Sequence, residues 1–254
     1  MSGAPAVPGD FEIIVLDTVD STNDEVRRRA DAGAVGPLWV RAASQTNGRG
    51  RRGRSWLSEP GNLFMTALLT LNCTPIQAAN LSFVAALAVA EAIDYFVDQT
   101  QVALKWPNDV LINGHKTSGI LLESWTSEAG LQIAIGIGVN VVTMPENIDQ
   151  KITCLAAHRM PHVSSCDAEH VANLVVAHFH KWLAQWHLQG FEPIREAWLD
   201  RATGLGQEIT AKLPHETLQG VFRGLSHDGA LDLELPDSTR RQVTAGDIFF
   251  PAAT

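Results

Sequence analysis

The sequence predicts an α/β fold followed by a small β-barrel or curled sheet, and two observations favour this class. Between residues 11 and 204, apolar runs of strand length alternate with longer runs of helical character. After residue 204 only short alternating runs remain, separated by turns such as Asp228-Gly229 and Pro236-Asp237. We therefore expect a large domain over 11–204 and a small β domain over 205–254, preceded by a flexible segment over 1–10. Because about fifty residues make a marginal core, the small domain should pack against the large one.

The first half of the large domain begins with a strand, a helix and a second strand. The helix is predicted by Thr22 with Glu25, which fit a capping box, and by Gly33, which suits the position after the last helical turn. The Ala-rich run Pro75–Val97 predicts a deeply buried helix that lies across a sheet. The strands predicted around these helices are Phe11–Val19, Leu38–Ser44 and Leu63–Leu71.

The second half of the chain contains a strong hairpin signal. Asn113-Gly114, placed between apolar runs, predicts a two-residue turn, whereas residues 143–166 are expected to form a long irregular connection. The other predicted elements of the large domain are the strands Val102–Leu104, Gly119–Trp125 and Leu131–Val141 and the helices Asp167–Gly190 and Glu192–Thr203. Those of the small domain are the strands Glu208–Lys212, Thr217–Leu225, Ala230–Leu235 and Arg240–Ala245.

Composition excludes several classes of function. A net charge of −9 and a pI near 5.4 argue against a dedicated binder of nucleic acid or of membrane surfaces. Three cysteines are too few and too scattered for a disulfide framework. No apolar run is expected to span a bilayer, and Met1–Asp10 lacks the basic and apolar parts of a signal peptide. These features favour a reducing cytosol.

The most unusual stretch is the segment Gly48–Trp56, which we call the glycine–arginine loop. Seven of its residues, Gly48–Arg54, comprise four arginines and three glycines, and the stretch contains no acid. Glycines let a ligand approach the backbone closely, and arginines donate to carboxylates and phosphates. The loop therefore suits an anion, although an RNA-binding Arg/Gly tract or a basic targeting signal has the same composition.

Two further motifs lie at corners of the predicted elements. Ser21 and Thr22 either cap the first helix or present hydroxyls to a polar ligand head. In Lys105–Asp109, the proline enforces an extended corner. Asn108 and Asp109 then serve as turn residues, or they read a nucleotide or help hold a metal.

The strands after this corner carry a lysine and two glycines. Lys116 begins an apolar strand and faces either a cleft or, as an edge lysine, solvent. Gly136 and Gly138 interrupt a strand, and such glycines allow another backbone or a flat ring to approach.

A series of cysteines and histidines recurs every four residues in the irregular connection. On a continuous helix the series would share one face and bind zinc. Pro161 and Ser164-Ser165 interrupt any such helix, so we predict no metal site there. The members of the series are Cys154, His158, His162, Cys166 and His170.

These motifs together resemble biotin–protein ligases, in the order in which that family carries them, and the resemblance covers nearly the whole chain from Phe11. It implies an α/β catalytic domain of the class II synthetase type, with a mixed sheet backed by helices, and an SH3-like C-terminal barrel. The motifs are Asp20–Asn23, Gln45 with Gly48–Trp56, Lys105–Asp109, Lys116 before Gly119–Leu121, and Gly136–Asn140, with Gly229–Leu231 and Ala245–Asp247 in the small domain.

The resemblance implies a two-step reaction with ATP, Mg²⁺ and biotin. Biotin and ATP form biotinyl-5′-AMP and pyrophosphate, and a lysine of a biotin carboxyl carrier protein domain then takes the biotin. It implies that Lys116 and Arg51 are catalytic and that Asp109 helps to position magnesium. The implied biotin-binding residues are Ser21, Thr22, Asn23, Gln45, Arg49, Gly50, Arg51 and Lys116. The implied nucleotide-binding residues are Arg52, Arg54, Trp56, Asn108, Asp109 and Asn140.

Two departures and three alternatives accompany this interpretation. About ten residues precede the first strand, so we expect no DNA-binding domain and no repressor role, and Cys154 stands where relatives often have a small hydroxyl residue. The alternatives are a lipoate–protein ligase, a nucleic-acid-binding protein that uses the Arg/Gly tract, and a non-catalytic biotin-binding module. We expect a monomer or an edge-to-edge homodimer.

Overall fold

The computed structural model describes residues 12–145 and 151–250. Its helices are α1 (Thr22–Asp31), α2 (Pro75–Ala79), α3 (Leu81–Asp94), α4 (Ala168–Gln189) and α5 (Glu192–Asp200). The strands of its larger sheet are β1 (Glu12–Val19), β2 (Leu38–Gln45), β3 (Leu63–Leu71), β4 (Val102–Lys105), β5 (Asp109–Ile112), β6 (His115–Ser127) and β7 (Gly130–Val139). Those of the smaller sheet are β8 (Glu208–Lys212), β9 (Thr217–Leu225), β10 (Leu231–Glu234), β11 (Arg240–Val243) and β12 (Asp247–Phe249).

The larger sheet is mixed and has seven strands in the order β1-β2-β3-β7-β6-β5-β4. Only β1 and β2 run parallel, and every other neighbouring pair is antiparallel. Alternate residues of β2 divide between two apolar clusters, since Trp39 joins one and Val40 joins the other. Because successive side chains of a strand point to opposite faces, α1 packs on one face and α3 with α4 on the other. The predicted mixed sheet backed by helices is confirmed.

The smaller sheet is antiparallel, with five strands in the order β11-β10-β9-β8-β12. Contacts from the larger unit hold it in place: Trp106 Nε1 donates to the Gly229 carbonyl at 3.2 Å, and Arg195 Nη1 donates to the Leu225 carbonyl at 3.1 Å. Gly229 has no room for a side chain, because a Cβ there would lie 2.8 Å from the Phe83 ring. The ends of β12 and β5 are thereby brought to the same side of the molecule.

Several boundary predictions are confirmed. The hairpin turn forms at Asn113 and Gly114, whose φ angles of 50° and 75° are the positive values that a two-residue turn of this kind requires. Gly33 follows the end of α1 with a φ of 98°. Asp167 caps α4 by accepting a hydrogen bond from the His170 amide at 2.9 Å.

Other local predictions were wrong. Helix α1 starts at Thr22 with Ser21 at the N-cap, and no capping box forms because the Thr22 hydroxyl contacts Gln45 instead. The predicted helix Pro75–Val97 divides at Asn80 into α2 and α3. Strands β5 and β12 were not predicted.

The expectation that no apolar run is long enough to cross a bilayer also needs correction. Within the described residues, Pro75–Asp94 meets the length and composition of a membrane span, with a mean hydropathy of 1.6 over an 18-residue window. However, 72% of that window is buried inside the protein. The stretch is therefore explained by its place as the core helix between the sheet and α4.

Candidate active site

A cavity of about 320 Å³ lies above the glycine-containing ends of β6 and β7. It gathers every site residue that the sequence predicted except Arg52. Those it gathers are Ser21, Thr22, Asn23, Gln45, Arg49, Gly50, Arg51, Arg54, Trp56, Asn108, Asp109, Lys116 and Asn140. The cavity also takes in residues that were not predicted as site residues, among them Ser55, Leu57, Ile120, Ile137, Pro145, Ile152 and Asp247.

One end of the cavity presents uncharged hydrogen-bonding groups. The Thr22 amide and hydroxyl lie 2.8 and 3.1 Å from Gln45 Oε1, so the start of α1 is tied to the end of β2. Behind them the Thr66 hydroxyl lies 2.8 Å from both Thr22 Oγ1 and Asn23 Oδ1. These side chains are fixed before any ligand binds, because each is locked by its neighbour.

Thr66 was missed by the sequence analysis. It is fully buried on β3 and orients Thr22 and Asn23 from below. A hydroxyl in the middle of a largely apolar strand was the available signal, since a buried hydroxyl needs a partner.

The floor of the cavity is made by glycines on paired strands. Gly119 of β6 faces Gly138 of β7, and the Trp56 indole lies on both. A Cβ at Gly138 would lie 2.5 Å from a ring atom of Trp56, and one at Gly136 would overlap Asn23 Oδ1. The glycines therefore let the Trp56 ring approach the strands closely, as the sequence predicted for a flat ring. The Trp56 Nε1 is buried and has no hydrogen-bond partner among the described residues.

The opposite end of the cavity is cationic. Lys116 Nζ lies 2.5 Å from Asp109 Oδ1, and the two side chains are only 16% and 13% exposed. Nearby, Asn108 bridges two elements, because its Nδ2 donates to the Ile120 carbonyl at 2.6 Å and its Oδ1 accepts from Arg51 Nη1 at 3.2 Å. Lys116 is thus not an edge lysine in solvent.

The arginines of the loop have three acidic partners, two for Arg49 and one for the others. Arg49 forms a bidentate ion pair with Asp24 and lies 3.5 Å from Glu123. Its hydrogen bonds to Asp24 raise the pKa of the Arg49 guanidinium above the ordinary value. Arg52 and Arg54 donate to Asp247. Arg52 lies outside the cavity lining, and it adopts a left-handed φ of 56°.

Burial lowers the pKa of two cations at this end. The Arg51 guanidinium is mostly removed from water, which depresses its pKa, and the nearby Asp247 carboxylate partly offsets the effect. Desolvation likewise lowers the pKa of Lys105, whose ammonium lies 5.6 Å from the centre of the Phe249 ring.

Asn140 lines the cavity wall beside this end, and Cys154 lies behind it. Asn140 is 4% exposed, and its Nδ2 donates to the Thr153 carbonyl at 3.1 Å. Cys154 is buried, and its thiol donates to the Val142 carbonyl at 3.3 Å without lining the cavity.

The cysteine and histidine series does not gather into a ligand set. Across residues 12–145 and 151–250, no three His, Cys, Asp or Glu side chains are placed to hold a metal ion. His158 Nε2 lies 2.8 Å from the Thr153 hydroxyl, and His170 packs against the rings of Tyr95 and Phe96. The members therefore take separate structural roles.

Comparison with known proteins identifies the family. Residues 15–140 match the model of the Biotin/lipoate A/B protein ligase family, and residues 204–250 match the Biotin protein ligase C terminal domain. The chain is 40% identical over 240 residues to a biotin–[acetyl-CoA-carboxylase] ligase of Paracoccus denitrificans, covering 93% of this chain and 99% of that protein. This chain belongs to the biotin protein ligase family. The sequence-based resemblance is thereby confirmed.

Other members of the biotin protein ligase family support the assignment. The bifunctional ligase/repressor BirA of Bacillus subtilis is 31% identical, with 92% of this chain and 72% of that protein aligned. The biotin protein ligase from Aquifex aeolicus in complex with biotin and ATP superposes with a TM-score of 0.77 at 27% identity, covering 94% of this chain and 97% of that one.

Proposed function

We propose that this chain is an ATP-dependent ligase that forms biotinyl-5′-AMP and transfers biotin to a lysine of a biotin carboxyl carrier protein domain. One observation carries the proposal. The cavity joins an uncharged hydrogen-bonding end, built on Thr22 and Gln45, to a cationic end, built on Arg51 and Lys116. This arrangement suits a substrate with a polar uncharged ring and a carboxylate that must meet a phosphate. Family membership supports the same reaction.

In the first step, an oxygen of the biotin carboxylate attacks the α-phosphorus of ATP. The bond from that phosphorus to the oxygen bridging to the β-phosphate breaks, and pyrophosphate leaves with the electron pair. Two anions must approach each other, so fixed positive charge lowers the barrier. Lys116 and Arg51 supply this charge, and their partners Asp109 and Asn108 hold them at one wall.

Biotin is assigned to both ends of the cavity, with its ring at the uncharged end and its carboxylate at the cationic end, and the nucleotide is assigned to the cationic end. The proposed biotin-binding residues are Ser21, Thr22, Asn23, Gln45, Arg49, Gly50, Arg51 and Lys116, and the proposed nucleotide-binding residues are Arg52, Arg54, Trp56, Asn108, Asp109 and Asn140. All but Arg52 line the cavity, and Arg52 would act through its ion pair with Asp247.

Magnesium fits the oxygen donors at the cationic end. Asp109 and Asn108 line the cavity with carboxylate and amide oxygens, which are the ligand types that Mg²⁺ prefers, and one or two carboxylates with substrate phosphates commonly suffice. When bound, the ion supplies positive charge to the phosphates. Asp109 would then share its carboxylate between the ion and Lys116.

In the second step, the nitrogen of the carrier lysine attacks the acyl carbon of biotinyl-5′-AMP. The bond from that carbon to the phosphate oxygen breaks, AMP leaves, and the lysine nitrogen loses a proton. The adenylate must be kept from water and from other amines until the carrier binds. We assign that shielding to the glycine–arginine loop.

The partners and the organisation of the chain follow from the same proposal. We propose a catalytic domain over residues 11–204 and a small SH3-like β domain over 205–254. The carrier domain is the macromolecular substrate, with no specific DNA and no membrane as partners. Three unpaired cysteines support a reducing cytoplasm. The edge strand β1 offers a surface for edge-to-edge homodimerisation if the protein is not a monomer.

The decisive experiment follows biotin by intact mass on an isolated carrier domain. We expect a single biotin adduct on one lysine that depends on ATP and Mg²⁺, with a carrier lacking the acceptor lysine as the control. Biotin binding without pyrophosphate release would instead indicate a non-catalytic module, and preferred transfer of lipoate would indicate a lipoate ligase. Filter binding of nucleic acid at moderate salt tests the remaining alternative.

A further inference from the structure

One acidic residue of the smaller sheet contacts the glycine–arginine loop at three points. Asp247, on β12, lies 3.3 Å from Arg52 Nη1 and 4.0 Å from Arg51 Nη1, and it forms an ion pair with Arg54. Its side chain is 20% exposed and faces the cavity. Within the described part of the chain, every ion pair of these three arginines is made with Asp247.

The backbone of the loop does little to attach it to the rest of the protein. The backbone hydrogen bonds of its arginine-rich part run inside the loop, from the Gly50 amide to the Arg54 carbonyl at 2.7 Å and from the Arg54 amide to the Arg51 carbonyl at 3.2 Å. Such internal bonds shape the loop without attaching it to the sheet. Side chains make the attachment. Arg49 pairs with Asp24, Arg51 also bonds Asn108, and the Trp56 ring packs on the glycine floor. The ion pairs of Arg51, Arg52 and Arg54 are all made with Asp247.

We propose that Asp247 is a positioning residue that holds the glycine–arginine loop over the cavity and so retains the acyl-adenylate until the carrier arrives. This inference rests on the proposed function. Arg51 is held at the same point of β12, because its Nη1 lies 4.0 Å from Asp247 Oδ1 and 3.5 Å from the carbonyl of the neighbouring Gly246. The smaller sheet thereby takes a direct part in the site on the larger one.

The alternative is that Asp247 competes with the ligand for the arginines. A competing carboxylate would draw the guanidiniums away from the cavity. Instead, Arg51 contacts Asn108 at 3.2 Å on the cavity wall while it remains beside Asp247, so both contacts hold at once. The geometry therefore favours positioning over competition.

Removing the charge of Asp247 should leave the fold intact. The smaller sheet is attached by the bond from Trp106 to Gly229 and the bond from Arg195 to Leu225, neither of which involves β12. Asp247→Asn keeps the shape of the side chain and removes only its charge. Asp247→Glu keeps the charge and serves as the rescue variant.

The first test uses the ligand-free protein. Limited trypsin digestion, mapped by mass spectrometry, measures how readily the loop is cut after its arginines. We expect Asp247→Asn to raise that rate several-fold and Asp247→Glu to stay near wild type. The matched control is Asp232→Asn, which removes an acid paired with Arg240 in the same sheet and should not change cleavage of the loop. An unchanged rate in Asp247→Asn would overturn the proposal.

The second test measures retention of the adenylate. We expect Asp247→Asn to release pyrophosphate and to transfer several-fold more biotin to added albumin per pyrophosphate than wild type does. Less transfer to albumin with tighter ATP binding would show competition and overturn the inference. A wild-type protein that releases no pyrophosphate would refute the proposed function instead. The trypsin result would still test whether Asp247 holds the glycine–arginine loop.

If Asp247→Asn does not fold, the same contact can be loosened from the loop side. Arg52→Gln removes one partner of Asp247 without removing a residue of the cavity lining. Trypsin sites at the other loop arginines remain, so faster cutting there supports the proposal and unchanged cutting contradicts it.

Discussion

Replacing Lys116 with glutamine tests the cationic end of the cavity. The glutamine side chain would keep most of the length of the lysine but would lose the charge that offsets the forming phosphoryl centre. Lys116 Nζ lies 2.5 Å from Asp109 Oδ1, and the pair is largely buried, so the change also leaves a carboxylate without its cation. Two effects are therefore expected, one on the reaction and one on stability.

The effect on the reaction follows from Coulomb's law. Two unit charges about 4 Å apart interact by about 4 kcal/mol at an effective dielectric constant of about 20. Only part of a unit charge develops on the phosphoryl oxygens, so we expect a loss of about 3 kcal/mol, which slows adenylate formation by a factor of about 10² to 10³.

The effect on stability should be smaller. Removing one partner of a fully buried ion pair costs about 3–5 kcal/mol. Here water reaches the pair, and the glutamine amide can still donate to Asp109, a bond that recovers about 1.5–3 kcal/mol. We therefore expect a net loss of about 1–2 kcal/mol, too little to unfold the protein.

Pyrophosphate release and urea unfolding separate the two effects. The matched control is Lys181→Gln, which removes a lysine paired with Glu91 at 3.0 Å, away from the cavity. It should release pyrophosphate at the wild-type rate. If Lys116→Gln also released pyrophosphate at close to the wild-type rate while folded, the assignment of Lys116 to the reaction would be refuted.

Three further predictions concern the loop, the floor and the core. Arg51→Gly should form adenylate more slowly, because a cation is lost from the reacting end, and should also lose the adenylate to bystander lysines. Biotin on albumin per pyrophosphate released should therefore exceed wild type, whereas Glu128→Gly should not change it; wild-type labelling per pyrophosphate in Arg51→Gly would contradict this. Gly138→Ala places a Cβ 2.5 Å from the Trp56 ring. It should displace the indole at a cost of about 1–3 kcal/mol and raise the KM for ATP; an unchanged KM for ATP would count against the close approach. Burial lowers the pKa of His180 to about 4 from 6.5. As pH falls below 6.5, the unfolded chain therefore binds a proton at this residue before the folded protein does, and the free energy of unfolding should drop by about 1–2 kcal/mol near pH 5. The free energy of unfolding of His180→Gln should drop correspondingly less, as measured by urea midpoints at neutral pH and near pH 5.

Local signals predicted most of the secondary structure because they act over a few residues. Asn113-Gly114 specifies its turn through backbone angles alone, and Gly33 ends α1 in the same way. Thr22 misled the capping argument because a tertiary partner, Gln45, binds its hydroxyl. A side chain that can cap a helix can equally form a hydrogen bond to a residue distant in the sequence. The local sequence does not show which of the two bonds forms.

The candidate site was predictable as a set of residues and not as a network. The loop, Lys116 and the glycines stand out by composition, and the structure places them around one cavity. Asp247 belongs to a motif that carried the family resemblance, but it was not predicted as a site residue, because it lies 193 residues from Arg54 along the chain. Its importance comes only from the docking of one sheet against another.

The same pairing offsets the repulsion within a loop that is rich in like charges. Four arginines and a lysine at one cavity would repel one another in a medium of low dielectric constant. Each instead lies beside a carboxylate. Asp24 pairs with Arg49, and Asp109 pairs with Lys116. Asp247 pairs with the other three arginines, Arg51, Arg52 and Arg54. The positive end is thus assembled in advance, so that a bound anion meets donors already in place and little reorganisation is needed during the reaction. The acids are accordingly as much a part of the site as the bases, and neutralising any one of them should disturb the position of its own partner first.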